Sequence, residues 1–115
     1  MPNDIAPLLP LNPRAFYVLL SLAEGDRHGY AIGKAVESIT GGSVRLTPGT
    51  LYPLVHQLLM HRWILELPED AADPRRRRYR LSALGKRIAR AEARRLDSLV
   101  RVARSLDLLP SPKQA

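Results

Sequence analysis

The apolar period of this chain changes from helical to alternating after Arg62. That single change of period limits the fold more than any other feature. Before it, Leu51, Leu54, Val55, Leu58 and Leu59 fall at i, i+3, i+4, i+7 and i+8, so the stretch Thr47–His61 is expected as a helix with one wholly apolar side. After it, Trp63, Leu65 and Leu67 are expected on one side of a strand, with Ile64 and Glu66 on the other. A polar turn bounded by Pro68 and Pro74 leads into a return strand from Arg76 to Leu81, with Tyr79 and Leu81 inward and Arg78 and Arg80 outward. A helix followed at once by a two-stranded hairpin is the second half of the fold.

The first half supplies two more helices. Four prolines among the first 13 residues give an extended arm, residues 1–12. A helix then starts at Pro13 with Asn12 as its N-cap, carries Phe16, Leu19, Leu20 and Ala23 on one face, and stops at Gly25. Asp26 and Arg27 make a short connection. The second helix runs from Gly29 to Thr40 with Ile32, Val36 and Ile39 as its buried stripe, and the Gly41-Gly42 pair ends it. Ser43 to Leu46 fits a very short strand or an extended link. So brief a connection forces the second and third helices to pack at a steep angle, as in a helix-turn-helix. Pro53, inside the third helix, removes one backbone hydrogen bond, so a loosely wound first turn or a bend is expected there.

Ser82 caps a last helix that runs to Leu109, before Pro110. Leu84, Ile88, Glu92, Leu96, Leu99, Ala103 and Leu106 recur at steps of three and four, a seam that is apolar except at Glu92. A helix of that length extends ~40 Å, too far to bury itself on a small domain, so the seam calls for another chain. Phe16 and Val100 join Leu84, Ile88, Leu96, Leu99, Ala103 and Leu106 as dimerisation candidates. The expected organisation is an arm (1–12), a winged helix-turn-helix (13–82), a dimerisation helix (83–109) and a tail (110–115). The fold class is mainly α with a small β-hairpin.

Composition narrows the function. The chain has 115 residues and no cysteine, which excludes disulfides, thiolate metal sites and cysteine nucleophiles. No apolar run approaches ~20 residues, and no basic segment precedes an apolar stretch at the N-terminus, so neither a membrane span nor a secretory signal is expected and a cytoplasmic location is. His56 and His61 fall on different helical faces with no acidic neighbour, so no metal site is expected. No catalytic constellation and no cofactor motif is present. Of the 18 basic residues, 13 lie between Arg62 and Arg104, and the net charge is +7. Such asymmetry suits a polyanion, nucleic acid before an acidic membrane surface.

On the third helix, Thr47 is a natural cap and Pro48 fits the first helical position. Amides near Pro48, Gly49 and Thr50 lie at the positive end of the helix dipole and suit a phosphate. Thr50, Tyr52, Pro53, His56 and Gln57 are candidates for the major groove, where Gln57 can pair bidentately with adenine. Tyr52 can equally be a packing residue, and His56 and Gln57 a solvated face. Tyr30 suits either a DNA-backbone contact or a core position, and Lys34 either a phosphate contact or a plain surface. The arginine run Arg75, Arg76, Arg77 and Arg78 suits phosphates or a narrow minor groove; alternation along a strand prevents all four from touching at once. Trp63 is expected in the core.

Three segments together resemble the PadR family of bacterial transcriptional regulators, in its short form with a single C-terminal helix. They are His28-Gly29-Tyr30-Ala31-Ile32, Pro48-Gly49-Thr50-Leu51-Tyr52-Pro53, and Arg76 to Ser82 with Gly85. The resemblance implies a homodimer bound to double-stranded operator DNA, usually as a repressor, with the last helix packed on the partner. It also implies, in some members, a small aromatic or planar effector near the dimer interface. The chain departs from the family where Arg62 replaces a common glycine, where Arg78 replaces a second aromatic, and at Leu59, near which an acidic residue is common. The other reading of the residues is a protein-interaction module that uses the winged fold as scaffold and the basic last helix as its binding element.

Overall fold

The computed structural model describes residues 4–68 and 76–111. Among these, four α-helices and three strands follow in the order α1 (Pro13–Ala23), β1 (Arg27–His28), α2 (Gly29–Ile39), α3 (Pro48–Met60), β2 (Ile64–Glu66), β3 (Arg78–Leu81) and α4 (Ala83–Ser105). Local chemistry sets most of the boundaries. The Asn12 side chain accepts the Arg14 amide, and Pro13 opens α1. Gly41 and Gly42 take positive φ, and the Gly42 amide donates back to the Glu37 carbonyl at 2.8 Å, closing α2. Ser82 accepts the Gly85 amide and so starts α4.

The sheet has three strands, not two. Residues expected as a plain connection form β1, which lies antiparallel to β3, pairing Arg27 with Tyr79 and His28 with Arg78. The order is β1-β3-β2, so the return strand of the wing is central. Ser43 to Leu46 is an extended link and joins no sheet.

The facing of β2 is the reverse of the sequence expectation. Ile64 is 1% exposed and Leu65 46%. The cause lies two residues earlier: Arg62 adopts φ 61°, the left-handed conformation in which glycine is at ease. This tight exit from α3 reaims the strand, sends Ile64 into the core opposite Leu81, and leaves Trp63 half-buried against the His61 ring. On β3 the expected alternation holds, with Tyr79 and Leu81 buried.

Val18, Leu19, Ile32, Val36, Val55, Leu58, Ile64 and Ile88 make the centre of the core. Ile39, expected in the stripe of α2, is exposed on the last turn of that helix. Residues 4–12 are built in rather than extended away: Ile5 and Leu11 are buried, and Ala6–Leu8 forms one 3-10 turn. The break in the α4 seam has its explanation here. Glu92, 2% exposed, accepts the Leu11 amide at 2.8 Å and is hydrogen-bonded to Arg95. Burial opposes its charge, but the bonds from Arg95 and Leu11 outweigh that and hold Glu92 below the ordinary glutamate range.

α4 ends at Ser105, short of the expected Leu109, with Asp107 at φ 61° and the Leu108 amide donating to the Ala103 carbonyl. Its first half packs on α1, and Ile88, Ala91 and Glu92 are covered. Leu96, Leu99, Val102 and Leu106 are exposed. Among the described residues no helix is long and apolar enough to cross a membrane.

Candidate nucleic-acid interface

The third helix presents its apolar side inward, through Leu51, Val55 and Leu58, and leaves Pro48, Gly49, Pro53, His56 and Gln57 exposed, with Thr50 half-buried. No acidic residue lies on it. The first turn is tight rather than loose: the amides of Thr50 and Leu51 both donate to the Thr47 carbonyl, at 3.0 and 2.8 Å, and the helix continues through Pro53. The Thr47 side chain does not cap. Its hydroxyl faces that of Thr50 at 3.3 Å instead. Since the Thr50 amide is engaged and Pro48 has none, Gly49 supplies the outward donor of this turn.

Tyr52 is fixed by packing. A methyl group at Gly29 would come within 3.1 Å of its ring edge and 3.5 Å of Tyr79, so glycine at the start of α2 lets the two tyrosines close over it. Gly29 also donates to the Arg77 carbonyl at 3.0 Å, which ties the wing to α2. Tyr30 is not a core aromatic: it is 52% exposed, stacked on His28 with centroids 5.7 Å apart, and Lys34 lies 5.8 Å from its ring centre. Tyr30, Lys34, Pro48 and Tyr52 share the lining of a groove of about 290 Å³ between α2 and α3. Of the predicted residues, the groove thus brings these four together, while Gly49, Thr50, His56 and Gln57 lie outside its lining.

Two arginines that the sequence reading passed over join them. Arg14, in the first turn of α1, lines a cleft with Thr50, Pro53 and Gln57, and with Arg45 it lines a larger one beside Thr47. Arg45 is held 3.2 Å from Glu37. Neither belongs to a local motif; only the packing of α1 across the start of α3 reveals them.

In the wing, Arg75 lies outside the described residues. Arg76 is exposed. Arg77 has Glu66 at 3.4 Å, and Arg78 has Asp26 at 3.7 Å. Asp26 also receives two hydrogen bonds from Arg80, at 3.0 and 2.8 Å. That paired contact keeps the Asp26 carboxyl below the ordinary aspartate range. Of the dimerisation candidates, Phe16 and Ile88 lie in the chain's own core, Leu84, Val100 and Ala103 are partly covered, and Leu96, Leu99 and Leu106 are open. No group of three histidine or acidic side chains poised for a metal occurs among the described residues.

A family profile described as the transcriptional regulator PadR-like family matches residues 18–91. The chain belongs to that family. Its members are DNA-binding transcriptional regulators, not enzymes. A protein of 37.1 kDa from a Streptomyces fradiae transposon, itself uncharacterized, is 35% identical to this PadR-like chain over 82 residues; the match takes in 71% of the chain and 22% of the relative's length. Solved structures share the fold. A transcriptional regulator from Clostridium thermocellum superposes with a TM-score of 0.66 at 21% identity, covering 91% of this chain and 96% of that one. A PadR-like transcription factor from Bacteroides fragilis gives 0.66 at 18%, covering 81% and 88%. A PadR family regulator from Clostridium difficile gives 0.65 at 19%, covering 80% and 95%.

Proposed function

We propose that this PadR-like protein is a homodimeric repressor that reads a palindromic operator with α3 in the major groove. The observation that carries the proposal is the groove that Tyr30 and Lys34 of α2 share with Pro48 and Tyr52 of α3, beside a reading helix that exposes Gly49, His56 and Gln57 and carries no carboxylate. Thr47, Thr50 and the Gly49 amide would hold a phosphate at the start of α3, and Tyr30 and Lys34 the next one along the strand. His56 and Gln57 are the base contacts, and Arg75 to Arg78 follow the flanking backbone or minor groove. Tyr52 serves by placing α3 against α2.

The open apolar stretch of α4, from Leu96 to Leu106, supports pairing with a second copy. Two heads joined this way address half-sites about one DNA turn apart, ~34–36 Å. Release by a small aromatic or planar effector belongs to the proposal on family likeness alone. Selection from random duplexes should return an inverted repeat. Gln57→Ala should then cost about 1–3 kcal/mol at one base pair of each half-site and little on scrambled DNA. Uniform weakening across all sequences would remove Gln57 from base reading, and recovery of no repeat would overturn the operator. Capture of acidic proteins without any preference for DNA would favour the interaction-module reading instead.

A further inference from the structure

Asp26 sits where the turn after α1 enters β1. Continuing the β1–β3 register by one residue places it directly across from Arg80, with Arg78 on the same outward side of β3 two residues away. Its carboxylate takes both the Nε and the terminal nitrogen of Arg80, and stands 3.7 Å from Arg78. One acid on the opening strand of the sheet therefore faces two arginines of the wing's central strand. Arg76, at the tip end of that segment, is exposed and has no carboxylate at ion-pair distance among the described residues.

Resting on the DNA-binding reading above, we propose that Asp26 is a specificity-determining residue that withholds Arg80 from DNA phosphates, and so keeps sequence-independent binding low. A guanidinium engaged with a carboxylate through two parallel hydrogen bonds is neutralised and oriented together. It cannot displace a counterion from a phosphate without first leaving that partner. Sequence-independent affinity comes almost wholly from such displacement, whereas base contacts made by α3 do not pass through the wing. A chain with a net charge of +7 and a wing this rich in arginine would otherwise hold any duplex tightly. The tie divides the wing into arginines committed to the fold and arginines offered to DNA.

The experiment is binding of the full chain to a random-sequence duplex from about 50 to about 200 mM salt. Asp26→Asn should raise affinity several-fold at the low end and steepen the log–log salt slope by ~0.9 for the one arginine released. Asp26→Ser should do the same, with a thermal melt confirming that each variant folds. Asp97→Asn removes an equal charge from the Asp97–Arg101 pair on α4 and should leave the slope unchanged. Arg80→Gln breaks the same tie from the other side, yet should leave the slope unchanged or shallower.

Equal steepening by Asp97→Asn would overturn the proposal in favour of bulk charge. Parallel behaviour of Asp26→Asn and Arg80→Gln would overturn it in favour of a purely structural tie. An unchanged slope in both neutral variants, with wild-type protein binding normally, would overturn it alone. Wild-type protein without affinity for any duplex would overturn the DNA reading and the inference together.

Discussion

The two halves of α4 carry the same heptad-like pattern and have opposite fates. In the first, Ile88, Ala91 and Glu92 are sealed beneath α1 and residues 4–12. In the second, Leu96, Leu99, Val102 and Leu106 are left exposed by the described residues. Periodicity alone does not distinguish a face that completes a core from one that awaits a partner. What separates them is the reach of the rest of the domain: a helix of 23 residues extends about 34 Å, and the core ends near its middle.

Substitutions along α4 can break that contrast. The largest effect is expected at the root of the helix. A methyl group on Gly85 would lie 2.0 Å from the Trp63 carbonyl oxygen, a backbone atom that cannot step aside, so Gly85→Ala should cost about 3 kcal/mol in urea unfolding. Ile88→Ala should cost a similar or slightly smaller amount, about 2–3 kcal/mol, with a midpoint independent of protein concentration. A concentration-dependent loss there would mean that the first half also faces a partner.

Glu92→Gln should cost about 2 kcal/mol at neutral pH, since it weakens charge-assisted bonds to Arg95 and the Leu11 amide. The sign of its pH dependence follows from the lowered folded value. The charged Glu92 contributes fully above pH 4.5, where a free glutamate titrates, and the contribution is lost as pH falls through the lower folded value. Wild-type stability should therefore drop on acidification more than that of the glutamine variant, and equal acid profiles would show that the buried carboxylate is not the cause. The smallest intrachain effect belongs to Leu99→Ala, within about 0.5 kcal/mol when measured on dilute monomer. In sedimentation, however, Leu99→Glu should abolish self-association, and an intact dimer would place the seam elsewhere.

The parts of the fold written in local chemistry were legible in the sequence. Asn12 before Pro13, the glycine pair after α2 and Ser82 before α4 each act within a few residues, and each stands where expected. Apart from Thr47, a local cap that does not form, and the dihedral at Arg62, the parts that failed depend on distant partners. Arg27 and His28 are a strand only because Tyr79 and Arg78 lie beside them. Glu92 was visible as a flaw in an apolar seam, but its partner Leu11 is 81 positions away. The facing of Ile64 and Leu65 turned on one dihedral at Arg62, where the sequence already stood apart by replacing a common glycine of the family. On the site, Tyr30, Gly49, Thr50 and Gln57 were put forward by motif and period, whereas Arg14 comes beside Thr50 and Gln57 only through the crossing of α1 over α3.

The contact between Trp63 and the start of α4 bears on how movement passes through the molecule. The Trp63 carbonyl accepts the Ser82 amide and hydroxyl, and the same hydroxyl also reaches the Arg62 carbonyl. The exit of the reading helix, the return of the wing and the base of the long helix are thus pinned at one point with no spare volume for a single carbon. A hinge needs slack, and this joint has none. The base of α4, the return of the wing and the end of α3 are therefore held in one fixed arrangement.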